Sequence, residues 1–188
     1  MCLYDYKTRQ AQWFQDESFD TIFCLTIDQD DNVWTGTFNG GVKKFSPETK
    51  SFRHFTQHSG TNALTSNNIR SIMCDDRNRI WVGTMDRGIA VLDADGNVIN
   101  RYRRLSGHAA DAENTINCIY QDRNKRIWIG VGRESLYYID EETGKPVALD
   151  ETALNSPHNA FASVTTIGED NFGNTWFGTA GSGLFYTN

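Results

Sequence analysis

The sequence predicts an all-β fold of the β-propeller class, with about four blades of four strands each. Three observations predict it: tryptophans recur 47, 47 and 48 residues apart, an aspartate stands six residues before each, and a glycine stands two residues after each. Self-similar units of about 20 to 50 residues are typical of solenoids and propellers. The repeated residues are Asp28, Trp34 and Gly36; Asp75, Trp81 and Gly83; Asp122, Trp128 and Gly130; and Asp170, Trp176 and Gly178.

The first strand of each unit is predicted from an apolar, β-branched run that ends at the repeated aspartate. In the first unit this run is 21–27. Its isoleucine, phenylalanine and threonine residues favour an extended strand. We expect this strand to be the innermost of its blade and to be buried. The equivalent runs are 69–74, 115–120 and 163–167.

A polar turn and a second strand follow the aspartate. Aspartate and asparagine side chains in the turn are suited to accept backbone N–H bonds. The second strand carries the tryptophan and the glycine, followed by threonine in every unit except the third, where Val131 replaces it. We expect the tryptophan to fill the interface between blades and the glycine to permit close backbone approach. The repeated residues are therefore interpreted as scaffold rather than as a site.

A tight turn leads from the second strand into a third. Gly41, Gly88 and Gly183 can adopt the positive φ that such a turn needs. In the third unit Ser135 stands at this position, which predicts an altered loop. A more polar fourth strand, at 51–55 in the first unit, completes each blade. The predicted complete blades are 21–56, 69–104 and 115–149.

The two ends of the chain are predicted to supply parts of blades. Residues 1–14 match the outer strands of a split blade, and residues 163–188 match inner strands. Two architectures follow: the ends pair to close a small four-bladed ring, or the chain is part of a larger propeller. An open arc would expose apolar surface and sheet edges, so self-association is expected for the second architecture.

Composition and charge argue against several classes of function. The 18 basic and 24 acidic residues give a net charge of −6 without a basic stripe, so nucleic-acid binding is not expected. No apolar run approaches the ~18 residues that a membrane span requires. The 4 cysteines lack the spacing of a zinc site, and no common catalytic motif is present. We therefore predict no cofactor, no metal site and no catalysis by this segment.

Candidate ligand-binding residues lie in the loops between second and third strands. These loops vary in charge from unit to unit while the flanking scaffold is constant, and recognition is usually built on such loops. Their side chains could hydrogen-bond sugar hydroxyls or carboxylates. The candidates are Asn39, Arg87, Arg133 and Glu134.

The repeat resembles the two-component regulator propeller repeat, a family found in the periplasmic sensor regions of bacterial hybrid histidine kinases. Residues 34–42 and 176–184 match its Trp-Ile-Gly-Thr-x-x-Gly-Gly-Leu block, and 52–69 resembles its segment between blades. The resemblance implies a periplasmic ligand sensor within a parent anchored in the inner membrane. It also implies oligosaccharide ligands and signalling through a separate kinase region.

Two other functions stay open at the level of sequence. One is a metal-dependent enzyme resembling the propeller lyases and lactonases, which would need acidic or histidine residues converging from the inner strands. The runs 22–27 and 116–120 offer almost none. The other is a protein-interaction platform, which saturable binding of a glycan would argue against.

Overall fold

The computed structural model describes residues 2–14, 16, 20–103, 105, 114–132, 135–140, 142–149 and 163–187. These residues form an all-β arc of antiparallel sheets. The amino-terminal sheet contains β1 (Cys2–Asp5) and β2 (Gln10–Trp13). The first blade contains β3 (Ile22–Ile27), β4 (Val33–Thr37), β5 (Val42–Ser46) and β6 (Ser51–Phe55). The second contains β7 (Ile69–Cys74), β8 (Ile80–Thr84), β9 (Ile89–Leu92) and β10 (Val98–Tyr102). The third contains β11 (Ile116–Gln121), β12 (Ile127–Val131), β13 (Ser135–Ile139) and β14 (Pro146–Ala148), and the fourth β15 (Val164–Glu169), β16 (Thr175–Thr179) and β17 (Leu184–Thr187).

Each blade is a meander in which consecutive strands pair. The predicted all-β propeller class is therefore confirmed. The register between the first and second strands shifts once in every blade, near the start of the first strand. Such a bulge adds local twist. Its recurrence at the same place gives all four blades the same shape, which lets them stack in one repeating geometry.

The repeated tryptophans pack against the blade that follows them. Trp34 lies in one core cluster with Ile72, Ile80 and Val82 of the second blade. Trp81 lies in another with Ile119 and other residues of the third blade. In the last cluster Trp128 meets the fourth blade, where its ring contacts that of Phe177 at 5.2 Å between centroids. The hydrophobic core is thus a series of interfaces between blades.

The expectation that the first strand of each blade is the buried one is wrong for the first blade. Ile22 is 54% exposed and Leu25 is 62% exposed, whereas all residues of β8 and β12 are buried. The second strand lies in the middle of its sheet, between two other strands, and is covered by neighbouring blades. On the first blade, Leu25 occupies the position of Ile72, but no described blade precedes it to supply a tryptophan.

The closed four-bladed ring is not what the described strands form. β1 and β2 pair only with each other, and the sheet of the fourth blade ends at β17. Among the described strands, neither β1 nor β2 pairs with β17 to complete the fourth blade. The segment after β2 instead contacts the first blade, where the Phe14 and Phe45 rings are 4.7 Å apart. No helix among the described residues is long and apolar enough to span a membrane.

The glycine after each repeated tryptophan lies close to the first strand of the next blade. A Cβ at Gly36 or Gly83 would meet Ile69 or Ile116 of that strand. At Gly130 it would lie 2.6 Å from the Val164 carbonyl oxygen and 2.7 Å from the Cys118 Sγ. These glycines therefore set the distance between neighbouring blades.

Replacing Gly130 by alanine is expected to lower the free energy of unfolding by about 1 to 3 kcal/mol, because the Val164 backbone must shift. Gly178 is the matched control. Its added Cβ would meet only the Thr166 methyl group, at 2.6 Å, and Thr166 is exposed and can move. Gly178→Ala should cost less than about 1 kcal/mol in chemical denaturation. Equal costs for the two variants would contradict the spacing role.

Candidate functional site

The repeated aspartate and tryptophan of each blade are joined by a side-chain hydrogen bond. The indole Nε1 donates to the aspartate Oδ2 over 2.8 Å in all four blades. The other carboxylate oxygen accepts from the turn backbone; Asp28 Oδ1, for example, accepts from the Asn32 N–H at 2.8 Å. Each aspartate thus fixes both the turn and the indole that enters the next interface. This places the repeated residues in the scaffold of the site.

At Asp28 and Asp170 these hydrogen bonds lower the pKa of the carboxyl group. The amide of Asn174 and the indole of Trp176 lower the pKa of Asp170 from its ordinary 3.8 to about 2. At Asp28, burial acts to raise the pKa, but hydrogen bonds from Trp34 and Asn32 outweigh it and the pKa is lowered. Folding therefore favours the charged forms.

The lowered pKa values predict acid sensitivity. A carboxyl group with a lower pKa in the folded state contributes stability that is fully present above its unfolded pKa and is lost as the pH falls towards the folded value. For Asp170 that window runs from about pH 4 down to about pH 2. The denaturant concentration at the unfolding midpoint, measured at pH 7, 4 and 2.5, should decrease as the pH falls. The decrease should be smaller in Asp170→Asn. An unchanged slope in the variant would contradict the assignment.

Threonines shape the loops between second and third strands. The hydroxyls of Thr37, Thr84 and Thr179 donate to the carbonyl oxygens of Gly41, Gly88 and Gly183 over 2.8 to 2.9 Å. The Thr84 hydroxyl also accepts from the Arg87 N–H at 2.9 Å. Val131, which has no hydroxyl, stands at this position in the third blade. The scaffold therefore fixes the backbone of three loops.

The two faces of the arc, at opposite ends of the strands, differ in how neighbouring blades are linked. One face carries the turns between first and second strands, and we call it the turn face. There side chains bond directly between blades, as when Gln121 Oε1 accepts from the Asp76 N–H at 2.8 Å. The other face, which we call the loop face, carries the loops between second and third strands and the connections between blades. There backbone bonds link a blade to the connection that follows it, as when the Gly41 N–H donates to the Asn67 carbonyl oxygen at 3.0 Å.

The loop face holds a cavity of about 680 Å³ between the connection 57–65 and the second blade. This volume lies within the range of about 300 to 1,000 Å³ that is common for small-molecule sites. The connection 57–65 forms one wall, and the second blade forms the other. The lining residues are Gln57, His58, Gly60, Ala63, Leu64, Thr65, Asp86, Arg87, Arg101, Arg103 and Asn114.

The cavity is lined mainly by polar groups, and two of them are buried without a partner. Thr65 Oγ1 and Asn114 Oδ1 have no hydrogen-bond partner in the structure described. An unpaired buried polar atom costs roughly 1 to 3 kcal/mol. Because both residues line the cavity, a molecule bound there could supply the missing partners.

Of the two predicted ligand-binding residues that the structure describes, one lines the cavity. Arg87 lines the cavity, and its backbone is held by Thr84. Asn39 lies in the corresponding loop of the first blade, with φ at 69°, and does not line it. Arg133 and Glu134 lie outside the described residues. The four residues therefore stay a prediction as a binding set.

Arg101 and Arg103 also line this cavity but were not among the candidates predicted from the sequence. The Arg101 guanidinium donates to the Ala63 carbonyl oxygen at 2.9 Å, which ties the second blade to the connection before it. Arg101 lies in β10 and Arg103 just beyond its end, and their two-residue spacing in an extended segment is the signal that could have paired them.

Thiols and metal ligands offer no second site among the described residues. Burial raises the pKa of Cys24 to about 11 and that of Cys118 to about 12, so both thiols are protonated at neutral pH. The described cysteines are free. No group of three histidine, cysteine, aspartate or glutamate side chains in the described ranges could hold a metal ion.

Comparison with known families agrees with the repeat. The family model described as the two component regulator propeller matches residues 63–86 and 111–133. Each matched segment resembles this repeat from a connection between blades through a Trp-x-Gly strand into the following loop. The matches therefore cover the first two strands of the second and third blades. No curated protein matches the sequence.

Solved structures share the fold of these propeller repeats. The extracellular domain assigned to the hybrid two component system BT4673 of B. thetaiotaomicron aligns with a TM-score of 0.68 and 21% identity, covering 96% of this chain and 25% of that one. The corresponding domain of BT3049 from the same organism gives 0.63 and 19%, covering 97% and 30%. Virginiamycin B lyase from Staphylococcus aureus gives 0.71 and 14%, covering 100% and 62%.

These likenesses establish the fold alone. The chain spans less than a third of the two hybrid-system domains and less than two thirds of the lyase. A high TM-score at 14% identity, as with the lyase, reflects blades that stack in the same way. Propeller folds support many unrelated functions.

Proposed function

We propose that this chain is a non-catalytic, extracytoplasmic ligand-sensing propeller segment of a hybrid two-component sensor. It binds an oligosaccharide and signals through a separate kinase region, in a parent anchored in the inner membrane. The observation that carries the proposal is the pair of matches to the two component regulator propeller model. The extracellular domains of two hybrid systems, which share the fold over nearly the whole chain, support the same function.

The loop face is the proposed binding surface. Its cavity has the volume of a small-ligand site and presents amide, hydroxyl and guanidinium groups, which are the groups that bond sugar hydroxyls. It also lies between the connection 57–65 and the second blade, which Arg101 joins. A ligand that binds one relative arrangement of this connection and blade more tightly would shift that arrangement, as a sensor requires.

Calorimetric titration of the whole chain with a panel of neutral and acidic oligosaccharides tests the proposal. We expect saturable binding of at least one at one site per chain. Thr65→Val should weaken that binding without lowering stability, because it removes an unpaired buried hydroxyl and keeps the shape. Thr49→Val, in an exposed turn, is the matched control. Absence of binding across the panel by folded protein would overturn the proposal.

Self-association of two copies is part of the proposal. Ile22, Leu25 and Ile27 are exposed at one end of the arc, and Leu184 and Tyr186 at the other. Trp176 at this second end is only half-buried, whereas the equivalent Trp34 is covered by the next blade. The fourth blade of one copy can therefore cover the first blade of another copy, as neighbouring blades within one chain cover each other.

Light scattering after size exclusion is expected to show a dimer or larger species whose share grows with protein concentration. Ile22→Lys/Leu25→Lys should shift the equilibrium towards monomer, because charge opposes burial of this face. A monomer of 21.3 kDa at all concentrations would contradict self-association.

A further inference from the structure

We propose that the loop-face cavity selects an anionic saccharide, one that carries carboxylate or sulfate groups. This inference rests on the proposed function and names the class of its ligand. Three arginines, Arg87, Arg101 and Arg103, line the cavity together with His58. Asp86 is the one acidic residue among the lining residues that the structure describes. The charge of this described lining is therefore opposite to the net charge of −6 on the chain.

The arginines differ in how firmly they are held. Arg101 donates to the carbonyl oxygens of Ala63 and Thr61, at 2.9 and 3.4 Å, and is fixed in the wall. Arg87 is mostly exposed; its nearest acid, Asp86, lies 3.8 Å away, too far for a hydrogen bond. Arg103 is also exposed. The guanidinium groups of Arg87 and Arg103 can therefore turn towards a ligand, while Arg101 holds the wall of the cavity in place.

The chemistry of the lining favours charge over stacking. Small-molecule sites are usually lined by apolar and aromatic side chains with a few polar groups. This cavity has no phenylalanine, tyrosine or tryptophan among its described lining residues. Guanidinium groups instead recognise carboxylate and sulfate-like oxyanions through paired N–H donors. Gln57, Thr65 and Asn114 remain to bond the hydroxyls of the sugar.

The test compares charged and neutral saccharides by calorimetry. The probes are trigalacturonate, neutral galactotriose of the same length and a sulfated chondroitin disaccharide, with citrate as an acid that is not a sugar. We expect trigalacturonate or the sulfated disaccharide to bind at least tenfold more tightly than galactotriose. The affinity should fall between 50 and 300 mM salt, because exposed charges are screened. Trigalacturonate carries carboxylates only, whereas the chondroitin disaccharide carries a carboxylate and sulfate, so tight binding of the disaccharide alone indicates that sulfate is recognised.

A charge-matched pair of variants assigns binding to the cavity. Arg87→Gln/Arg103→Gln should weaken binding of the acidic saccharide at least tenfold. Arg9→Gln/Arg77→Gln lowers the net charge by the same two units at exposed residues that do not line the cavity, and should change affinity less than twofold. Circular dichroism and melting temperatures confirm that both variants fold.

The outcomes separate this inference from the proposed function. Equal or tighter binding of galactotriose, or equal losses in the two double variants, would overturn anion selection and leave saccharide sensing intact. If no saccharide binds but citrate binds through Arg87 and Arg103, the anion site stands and the saccharide ligand is wrong. If neither citrate nor any saccharide binds, both proposals are overturned.

Discussion

Replacing Trp81 by alanine is expected to lower the free energy of unfolding by about 3 to 5 kcal/mol, the usual cost of removing a buried aromatic side chain. Trp81 is 2% exposed and belongs to the core cluster between the second and third blades. Its ring stacks on that of Tyr102 at 5.8 Å, with the Arg79 guanidinium 5.5 Å from its centre. The substitution therefore empties the middle of an interface.

Trp13 is the matched control for this prediction. It is 75% exposed in the amino-terminal sheet, so Trp13→Ala should change stability by less than about 0.5 kcal/mol. Denaturant unfolding followed by far-UV circular dichroism measures both variants without relying on tryptophan fluorescence. Similar losses in the two variants would contradict the assignment of the core to the interfaces between blades.

Replacing Asp122 by alanine is expected to cost about 2 to 4 kcal/mol. The Trp128 indole, 1% exposed, would lose its acceptor at 2.8 Å, and the Arg126 N–H would lose its acceptor at 2.9 Å. The buried indole donor left without a partner costs roughly 1 to 3 kcal/mol, and the lost bond from the part-buried Arg126 N–H adds to that cost. Asp95→Ala, an exposed change of the same type, should be close to neutral.

A double-mutant cycle distinguishes the pair from a general effect of charge. In a Trp128→Phe background the indole donor is already absent, so Asp122→Ala should cost clearly less than in the original chain. Additive costs in chemical denaturation would show that the aspartate acts on the turn alone and would refute the coupling of turn to interface.

Local patterns in the sequence predicted the fold well. A period of about 47 residues identified the blades, because each blade repeats the same strands, turn and interface residues. The aspartate and tryptophan that stand six residues apart are also joined by a side-chain hydrogen bond. From the sequence, the aspartate was assigned only to the turn and the tryptophan only to packing between blades. Burial of the first strand at Ile22 and Leu25 was predicted wrongly, because it depends on a neighbouring blade rather than on the strand itself.

The candidate site was harder to predict because it depends on tertiary contacts. Arg87 was found from the variation of one loop, but Arg101 and Arg103 lie in and just beyond a strand of ordinary composition. They meet Arg87 only because the connection 57–65 lies beside the second blade and is held there by Arg101. A sequence pattern within one blade contains no information on that contact.

Hydrogen–deuterium exchange of the whole chain, with and without a saturating saccharide identified by calorimetry, tests most directly the claim that the loop face is the sensing surface. The ligand is expected to slow exchange in 56–65 and 84–88, which border the cavity. Little change is expected in the turn-face segments 75–79 and 122–126. Protection of the turn-face segments, with 56–65 and 84–88 unchanged at saturation, would contradict that claim.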